Sequence, residues 1–382
     1  MRTTEENHIT LHYPDEIGFA FNPVRILVED DTQGGLSYIK VSLGDPDERV
    51  TISTHRVDFM GNKCADDVQA FIQSYFAGLT LDEPNYSANN DVAAVRKSNL
   101  ARTIDFSVAC YDASDVLIQR FDFEIFVVWG AIIPGGKDIY NGFRKATWFA
   151  NYPFTIGIFA ESGAQILYAK NGRLGGVNDM SGFDEKSVYN ITPALKYAEG
   201  DTFTLYDYNG EIKQATFDNS FDLTFYMSGG VMSKVFEVNI DRVHAEGTYL
   251  RWIDRHGFFC YWLFKDGDEK RKVVADTQLN RNDLFAYDDI YGYHGTNGRR
   301  ANYSREDTYS ASAPLVDRDT FDFLQGVTTS PVVDMYCGKD ANGLDRWQGV
   351  SISTGTYTKE RKKNLQDFVI NITLPTINIQ KL

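Results

Sequence analysis

The chain has 382 residues, of which 43% are hydrophobic, 24% charged and 14% aromatic, with 26 Phe and 22 Tyr. That is ample apolar material for globular cores, and it excludes intrinsic disorder as a global state. With 38 Lys and Arg against 53 Asp and Glu the net charge is -15, the wrong sign for nucleic-acid binding as the main role.

At roughly 150 residues per domain the length implies two or three domains. No apolar run reaches the ~18 to 20 residues of a membrane span. The longest candidate, Phe121 to Ile133, carries Asp122 and Glu124, so a soluble chain without membrane insertion is expected. The opening Met-Arg-Thr-Thr-Glu-Glu-Asn-His has no apolar stretch resembling a secretory leader.

In chain order, the first strong signal is helical. Val68, Phe71, Ile72, Tyr75, Phe76 and Leu79 recur at helical spacing behind Asp66 and Asp67, which predicts a helix near 65–78. Ile104, Phe106, Val108 and Cys110 then alternate with polar or small residues, and after Tyr111-Asp-Ala-Ser-Asp115 the set Phe121, Phe123, Ile125, Val127 and Trp129 does the same. This is a long hairpin with one wet face. Ile133-Pro-Gly-Gly136 ends it and marks the boundary between an N-terminal domain, 1–135, and a second β-rich region, 136–382. Thr192-Pro193 opens a short helical segment closed by Gly200. Asn209-Gly210 and Asp266-Gly267 each sit between strand-like runs and predict hairpin turns. Leu250 and Trp252, then Phe258, Cys260, Trp262 and Phe264, read as two strands pairing around Asp254 to Gly257, with both tryptophans in the core. Asp319 to Gly326 suggests another helix, and Phe368, Ile370, Ile372 and Leu374 form a last strand stopped by Pro375. Two turn-rich segments, Lys170 to Lys186 and Asp276 to Pro314, read as loop insertions of a length that is functional or held by a partner.

No nucleotide-binding, metalloprotease, hydrolase-elbow or calcium-loop motif occurs, so no catalytic, cofactor-binding or metal residue is assigned. The cysteines Cys64, Cys110, Cys260 and Cys337 form no CxxC pair and read as buried thiols. His256, just before Gly257, reads as a turn or packing residue. Asp288 with Asp289 could bind a cation or act on a glycosidic oxygen, against solvated loop charge as the plainer role. Sequons at Asn85, Asn190, Asn302 and Asn371 read as chance matches, since secretion through a leader is not expected. Tyr287, Tyr291, Tyr293, Tyr303 and Tyr309, set among Asp, Asn, Gly and Arg, have the composition of a recognition or subunit-contact loop. The same rings could instead pack the loop onto its own domain or a neighbouring subunit.

Gly247-Thr-Tyr-Leu-Arg-Trp-Ile-Asp-Arg-His-Gly257 with Tyr261-Trp-Leu-Phe264, then Ser330-Pro-Val-Val-Asp-Met-Tyr336, Trp347-Gln-Gly-Val-Ser-Ile352 and Lys363 to Pro375, resemble tail-tip proteins of tailed phages and prophages of gut Bacteroidetes. The pattern is similar to the distal tail protein class. Upstream, strands, one helix and a long hairpin resemble the tail-tube fold. The resemblance implies a mostly β protein. An N-terminal tail-tube-like β-sandwich with one packed α-helix is followed by an outward-facing, β-sandwich-type C-terminal region with long loop insertions. It implies a non-enzymatic virion protein, made in the bacterial cytoplasm. Six copies would form a ring joining the tail tube to the distal tail or baseplate. Its partners would be copies of itself and the tube, tip or hub and tape-measure proteins, with DNA passing through a negatively lined channel without specific binding. The competing reading is a carbohydrate-binding or receptor-contacting adhesion module of the tail, with Trp252, Trp262 and the tyrosines as stacking surfaces.

Overall fold

The computed structural model describes residues 1–14, 17–32, 35–44, 49–58, 62–76, 94–132, 144–160, 162–163, 165–170, 173–179, 183–192, 202–206, 212–216, 220–226, 232–275, 278–279, 287–288, 292–293, 299–300, 302–353, 355, 357–360 and 362–375. The architecture is mostly β, as the period-2 alternation requires, and falls into two compact units: 1–242 with 253–260, and 243–252 with 261–382.

The first unit begins with β1 (Arg2–Glu6), β2 (Ile9–Tyr13), β3 (Ile17–Phe19), β4 (Arg25–Asp30), β5 (Tyr38–Leu43), β6 (Val50–Arg56), β7 (Lys63–Asp67), α1 (Gln69–Ser74), β8 (Ala94–Lys97), β9 (Ala101–Tyr111) and β10 (Leu117–Val128). A four-stranded sheet, β1-β2-β4-β7, faces a five-stranded one, β3-β10-β9-β5-β6. Alternate residues of each line a shared core: Ile9, Leu11, Ile26 and Val28 from one sheet, Ile39, Val41, Ile104, Phe106, Val108 and Ile125 from the other. The expected hairpin is there, with Ile104 opposite Ile125 and Val108 opposite Phe121. Its second face is wet at Asp105, Asp122 and Glu124, and dry at its base.

The predicted helix is shorter than its apolar stripe. Asp66 and Asp67 lie in β7, and Asp67 accepts the Val24 and Gln69 N–H groups at 3.0 and 3.1 Å. Val68, Ile72 and Phe76 are buried, Phe71 is exposed, and Leu79 lies outside the described residues.

Next come β11 (Arg144–Phe149), β12 (Ile156–Ala160), β13 (Gln165–Lys170), β14 (Arg173–Asp179), β15 (Ser187–Thr192), β16 (Thr202–Tyr206), β17 (Ile212–Thr216), β18 (Ser220–Tyr226) and β19 (Met232–Asp241). They form a seven-stranded sheet, β11-β19-β18-β13-β14-β16-β17, and a three-stranded one, β12-β15-β8. The boundary expected at 135 is therefore not where the chain divides. Ala101, Phe126 and Val128, on the back of the long hairpin, pack with Phe159, Val188 and Phe258, so downstream strands share a core with it. Lys170 to Lys186 is likewise not a plain insertion, because β13 and β14 form a ladder through it. The hairpin predicted at Asn209-Gly210 exists as β16 with β17, its turn outside the described residues, as is 193–200.

The second unit holds β20 (Thr248–Ile253), β21 (Phe259–Ala275), β22 (Gln278–Leu279), β23 (Tyr287–Asp288), β24 (Gly292–Tyr293), β25 (Arg299–Arg300), β26 (Tyr303–Val316), α2 (Arg318–Thr329), β27 (Val333–Lys339), β28 (Asp345–Gly349), β29 (Ser351–Ile352) and β30 (Gln366–Thr373). Its main sheet runs β28-β27-β20-β21-β26-β30-β29. The two ends of that order, β28 and β29, are one segment interrupted at Val350, whose N–H bonds Val333 O at 2.9 Å. One strand thus pairs β27 with its first half and β30 with its second, and the sheet returns on itself. Closure of this kind removes free edges. Leu250, Phe264, Ile370 and Ile372 are fully buried, and α2 contributes Phe321, Leu324 and Val327. The helix is capped by Asp317, whose carboxylate accepts Thr320 N–H at 2.8 Å. Trp252 is 1% exposed, whereas Trp262 is only half-buried, less than expected.

Three hairpins share one turn chemistry. Asp112, Asp254 and Asp340 each use Oδ1 to accept the N–H groups two and four residues on. The residue three on, Asp115, Gly257 or Gly343, has positive φ. An aspartate that satisfies two turn amides and a following residue tolerant of αL close a three-residue loop. His256 sits in the second of these turns, its Nδ1 2.8 Å from Asp254 Oδ2.

Candidate functional site: the two-stranded ribbon

Asp266-Gly267 is not a turn. β21 continues through it, and the register slips between Asp266, opposite Ala311, and Glu269, opposite Tyr309. A bulge explains why: a Cβ on Gly267 would lie 2.4 Å from Ser310 Oγ and 2.8 Å from Ser310 O, and Ser310 Oγ receives the Asp268 N–H at 2.9 Å. Thr248 Oγ1 donates to Asp266 Oδ1 at 2.5 Å, so the side chain that would have opened a turn anchors the strand instead. The segment Asp276 to Pro314 is correspondingly not all loop. From Tyr303 it is β26, laddered on β21 from Ala275 down to Lys265 and on β30 from Thr308 to Val316. The strand was hidden in the sequence because both faces of its first half carry polar residues.

Beyond Thr308 the β21–β26 pair outruns β30 and stands as a two-stranded ribbon. Every residue from Lys265 to Val274 is exposed. Val273 is 55% exposed, Val274 48% and Tyr303 43%, clustered at the far end. Among the described residues no strand pairs with β21 on its other side beyond the short β20.

Charge organises the ribbon. Asp307 Oδ1 accepts from Arg271 Nε across the ladder at 2.9 Å and from Arg305 Nε along the strand at 2.8 Å, with Arg305 Nη2 on Oδ2. The Arg305 hydrogen bonds, then that of Arg271, hold the Asp307 carboxyl below its ordinary range despite some desolvation. Arg305 is pushed up in turn by its bonds to Asp307. Lys272 and Glu306 face each other at 3.9 Å. Over the whole β21–β26 ladder from Lys265 outward, five cations (Lys265, Lys270, Arg271, Lys272, Arg305) meet five carboxylates (Asp266, Asp268, Glu269, Glu306, Asp307), so the ladder is neutral on a chain of charge -15.

The five tyrosines do not form one cluster here. Tyr303 is exposed at the ribbon end. Tyr309 turns inward: its hydroxyl lies 2.8 Å from Met335 Sδ, and burial pushes its pKa up. Tyr287 and Tyr293 are opposite each other in the backbone ladder of β23 and β24, and Tyr291 lies outside the described residues. Of the pair Asp288 and Asp289, the first pairs with Gly292 in that ladder and the second lies outside the described residues. Lys270, Arg271, Lys272, Glu306 and Asp307 were not singled out for a site, because a turn at Asp266-Gly267 would fold Arg271 and Lys272 back on Phe259 to Phe264 and leave Glu306 and Asp307 in a loop. The cue was that opposite charges continue at strand spacing on both sides of Asp-Gly.

Elsewhere, Arg251 is buried, donates to Asp334 Oδ2 at 2.9 Å and lies 4.3 Å over the Trp347 ring. Tyr249, Tyr261 and Tyr336 surround that tryptophan. In the first unit, Asp66 joins His55 Nε2 at 3.0 Å and the Ser53 hydroxyl. Burial pushes Cys64 and Cys110 up to about 11 and about 12, leaving them protonated core thiols. Cys337, expected to be buried, is exposed, because β27 runs out toward the turn at Asp340. Among the described residues no group of three or more His, Cys, Asp and Glu side chains is placed to hold a metal ion, and no helix is long and apolar enough to cross a membrane.

No protein-family model and no curated protein matches the chain. Among solved structures, fibronectin(III)-like modules of Clostridium thermocellum CbhA match at 10% identity, covering 62% of this chain and 97% of theirs, with a TM-score of 0.19. A tetra-tandem repeat from the extending region of a large adhesion protein matches at 10% identity over 96% of this chain and 99% of its own, also at 0.19. Likeness at this level assigns the chain neither a fold family nor a function.

Proposed function

We propose that the chain is a structural protein of a phage tail tip that acts by assembly. Copies, six in number, form a ring joining the tail tube to the distal tail or baseplate, bound to other tail proteins in the virion, and no reaction is catalysed. The observation that carries this reading is the ribbon. A two-stranded sheet wet on both faces is marginal by itself, and an open edge invites another strand, so such an element has its use in contact with another chain.

Three further points support it. The segments that resemble tail-tip proteins are β20, the start of β21, β27, the closing segment of β28 and β29, and β30, all strands of the closed sheet. Strands, one helix and a long hairpin, the arrangement taken upstream as tail-tube-like, recur in this second unit. The acidic balance suits a channel that DNA passes without sticking.

The test is the mass and shape of the purified protein by light scattering and negative-stain imaging across a concentration series. Rings of about six subunits with a central hole are expected. A monomer at every concentration overturns the proposal, and rings with a basic bore overturn the channel part of it.

A further inference from the structure

We infer that the outer edge of β21 is a pairing edge for a second copy of this chain, joined antiparallel about Lys270. The charges on this edge are ordered: Asp266, Asp268 and Glu269 come first, then Lys270, Arg271 and Lys272. A strand acidic in one half and basic in the other is self-complementary in one orientation. Two copies running antiparallel lay the acidic half of each on the basic half of the other, whereas parallel copies would set like on like. A two-fold axis normal to the sheet makes one residue face its own copy, because opposed side chains must share a face. With Lys270 on the axis facing its own copy, Glu269 meets Arg271 of the second copy on either side, and Asp268, at the bulge, comes near Lys272.

The rest of the edge agrees. From Glu269 to Ala275 the ladder with β26 is regular, so the outward N–H and C=O groups are evenly presented, and the bulge at Gly267 and Asp268 marks the end of the regular contact. Arg271 and Lys272 are 59% and 72% exposed even while facing Asp307 and Glu306, so their cations remain reachable. Uniform charge is the usual guard of a free edge. Here the guard excludes strands of one sign and parallel copies, and admits an antiparallel copy. Two chains of net charge -15 repel, and a ladder that is neutral from Lys265 outward is where that repulsion is weakest. The inference goes beyond the proposed ring: a two-fold contact pairs copies head to head and lies outside the head-to-tail contacts of a ring with two different faces.

Two charge-reversed variants test it: Asp268→Lys with Glu269→Lys, which makes the edge basic, and Lys270→Glu with Arg271→Glu and Lys272→Glu, which makes it acidic. Mass is read by sedimentation, and circular dichroism confirms that each variant is folded. Each alone is expected to lose the two-fold contact, and an equimolar mixture to regain it. Independently, Lys270→Cys in a Cys337→Ser background is expected to give a disulfide-linked dimer under mild oxidation, with Val274→Cys giving far less. Wild-type association that survives both reversals, or a mixture that does not recover, overturns the pairing edge while leaving assembly intact. A wild-type protein that never associates overturns both.

Discussion

Gly326→Ala asks how α2 seats on the closed sheet. Gly326 is inside the helix, where replacing glycine with alanine ordinarily stabilises by about 1 kcal/mol. Here the added Cβ would lie 3.2 Å from Nε1 of Trp252. Trp252 is 1% exposed, its ring is 5.2 Å from that of Phe323, and its indole N–H is buried without an acceptor. The ring has nowhere to retreat without displacing α2, and overpacking of this kind costs typically 1–3 kcal/mol. The repulsion therefore outweighs the helix gain, and a net loss of about 1 kcal/mol is expected in urea denaturation followed by tryptophan fluorescence. In a Trp252→Phe background the smaller ring leaves room, and the same Gly326→Ala change should turn stabilising, a coupling that a double-mutant cycle measures. A stabilising effect of Gly326→Ala in the wild-type background would refute the close packing of helix on indole.

Trp252→Ala should destabilise by about 3–5 kcal/mol, as loss of a fully buried aromatic does, and the half-buried Trp262→Ala by clearly less; equal losses would contradict the burial difference. Gly257→Ala puts a Cβ 2.7 Å from Val128 Cγ1 and 2.9 Å from Trp129 O at φ +75, and should lower the melting temperature of the first unit, whereas Gly338→Ala meets no neighbour within 4 Å and carries backbone strain alone. Asp30 gives a pH dependence. Its burial raises the pKa, but bonds from Thr32, Gly35 and Leu36 outweigh that and leave it lowered. A lowered carboxyl binds fewer protons folded than unfolded. Its contribution is therefore present above the unfolded value of about 3.9 and is lost as pH falls through the folded one. Asp30→Asn should thus cost stability at pH 7 and progressively less in acid, and a penalty independent of pH in urea titrations would dismiss the role of its charge.

Much of the fold was legible where one face of a strand is dry. Ile104, Phe106 and Val108 against Phe121 and Ile125, and Phe368, Ile370 and Ile372, announce their strands by alternation, and Asp319 to Gly326 announces α2. What stayed hidden needed long-range information. β26 has two wet faces over its first half, so alternation carries no signal there, and only its register against β21 makes it a strand. Asp266-Gly267 has the composition of a turn and is a bulge, because Ser310 on the opposite strand takes the space and the hydrogen bond a turn would have used. Closure of the sheet depends on Val350, an ordinary residue in sequence, at the point where one segment leaves β27 for β30. Of the candidate site, Tyr303 was found by composition, while Arg271 and Lys272 read as the second strand of a hairpin turning at Asp266-Gly267 and Arg305, Glu306 and Asp307 as part of a loop insertion.

The ribbon keeps its strands together without a third strand or a dry face because it is a continuation of the sheet. Ala311 and Ala313 are buried where β26 still has β30 beside it, and Tyr309, one turn of the pleat further out, reaches back to Met335 on β27. Outward of that point packing ends, and the ladder is supported by Arg271, Arg305 and Asp307 instead. Exposed ion pairs of this kind contribute little, typically 0.2–1 kcal/mol, and less as salt rises. The outer ribbon should therefore exchange its amide hydrogens faster than the stem, with the step between Asp307 and Tyr309, and faster still in high salt. Protection extending undiminished from Ala313 to Tyr303 in a protein shown to be monomeric would mean that the ribbon is held by something other than its ladder and these charges, and the argument that it awaits a second chain would fail.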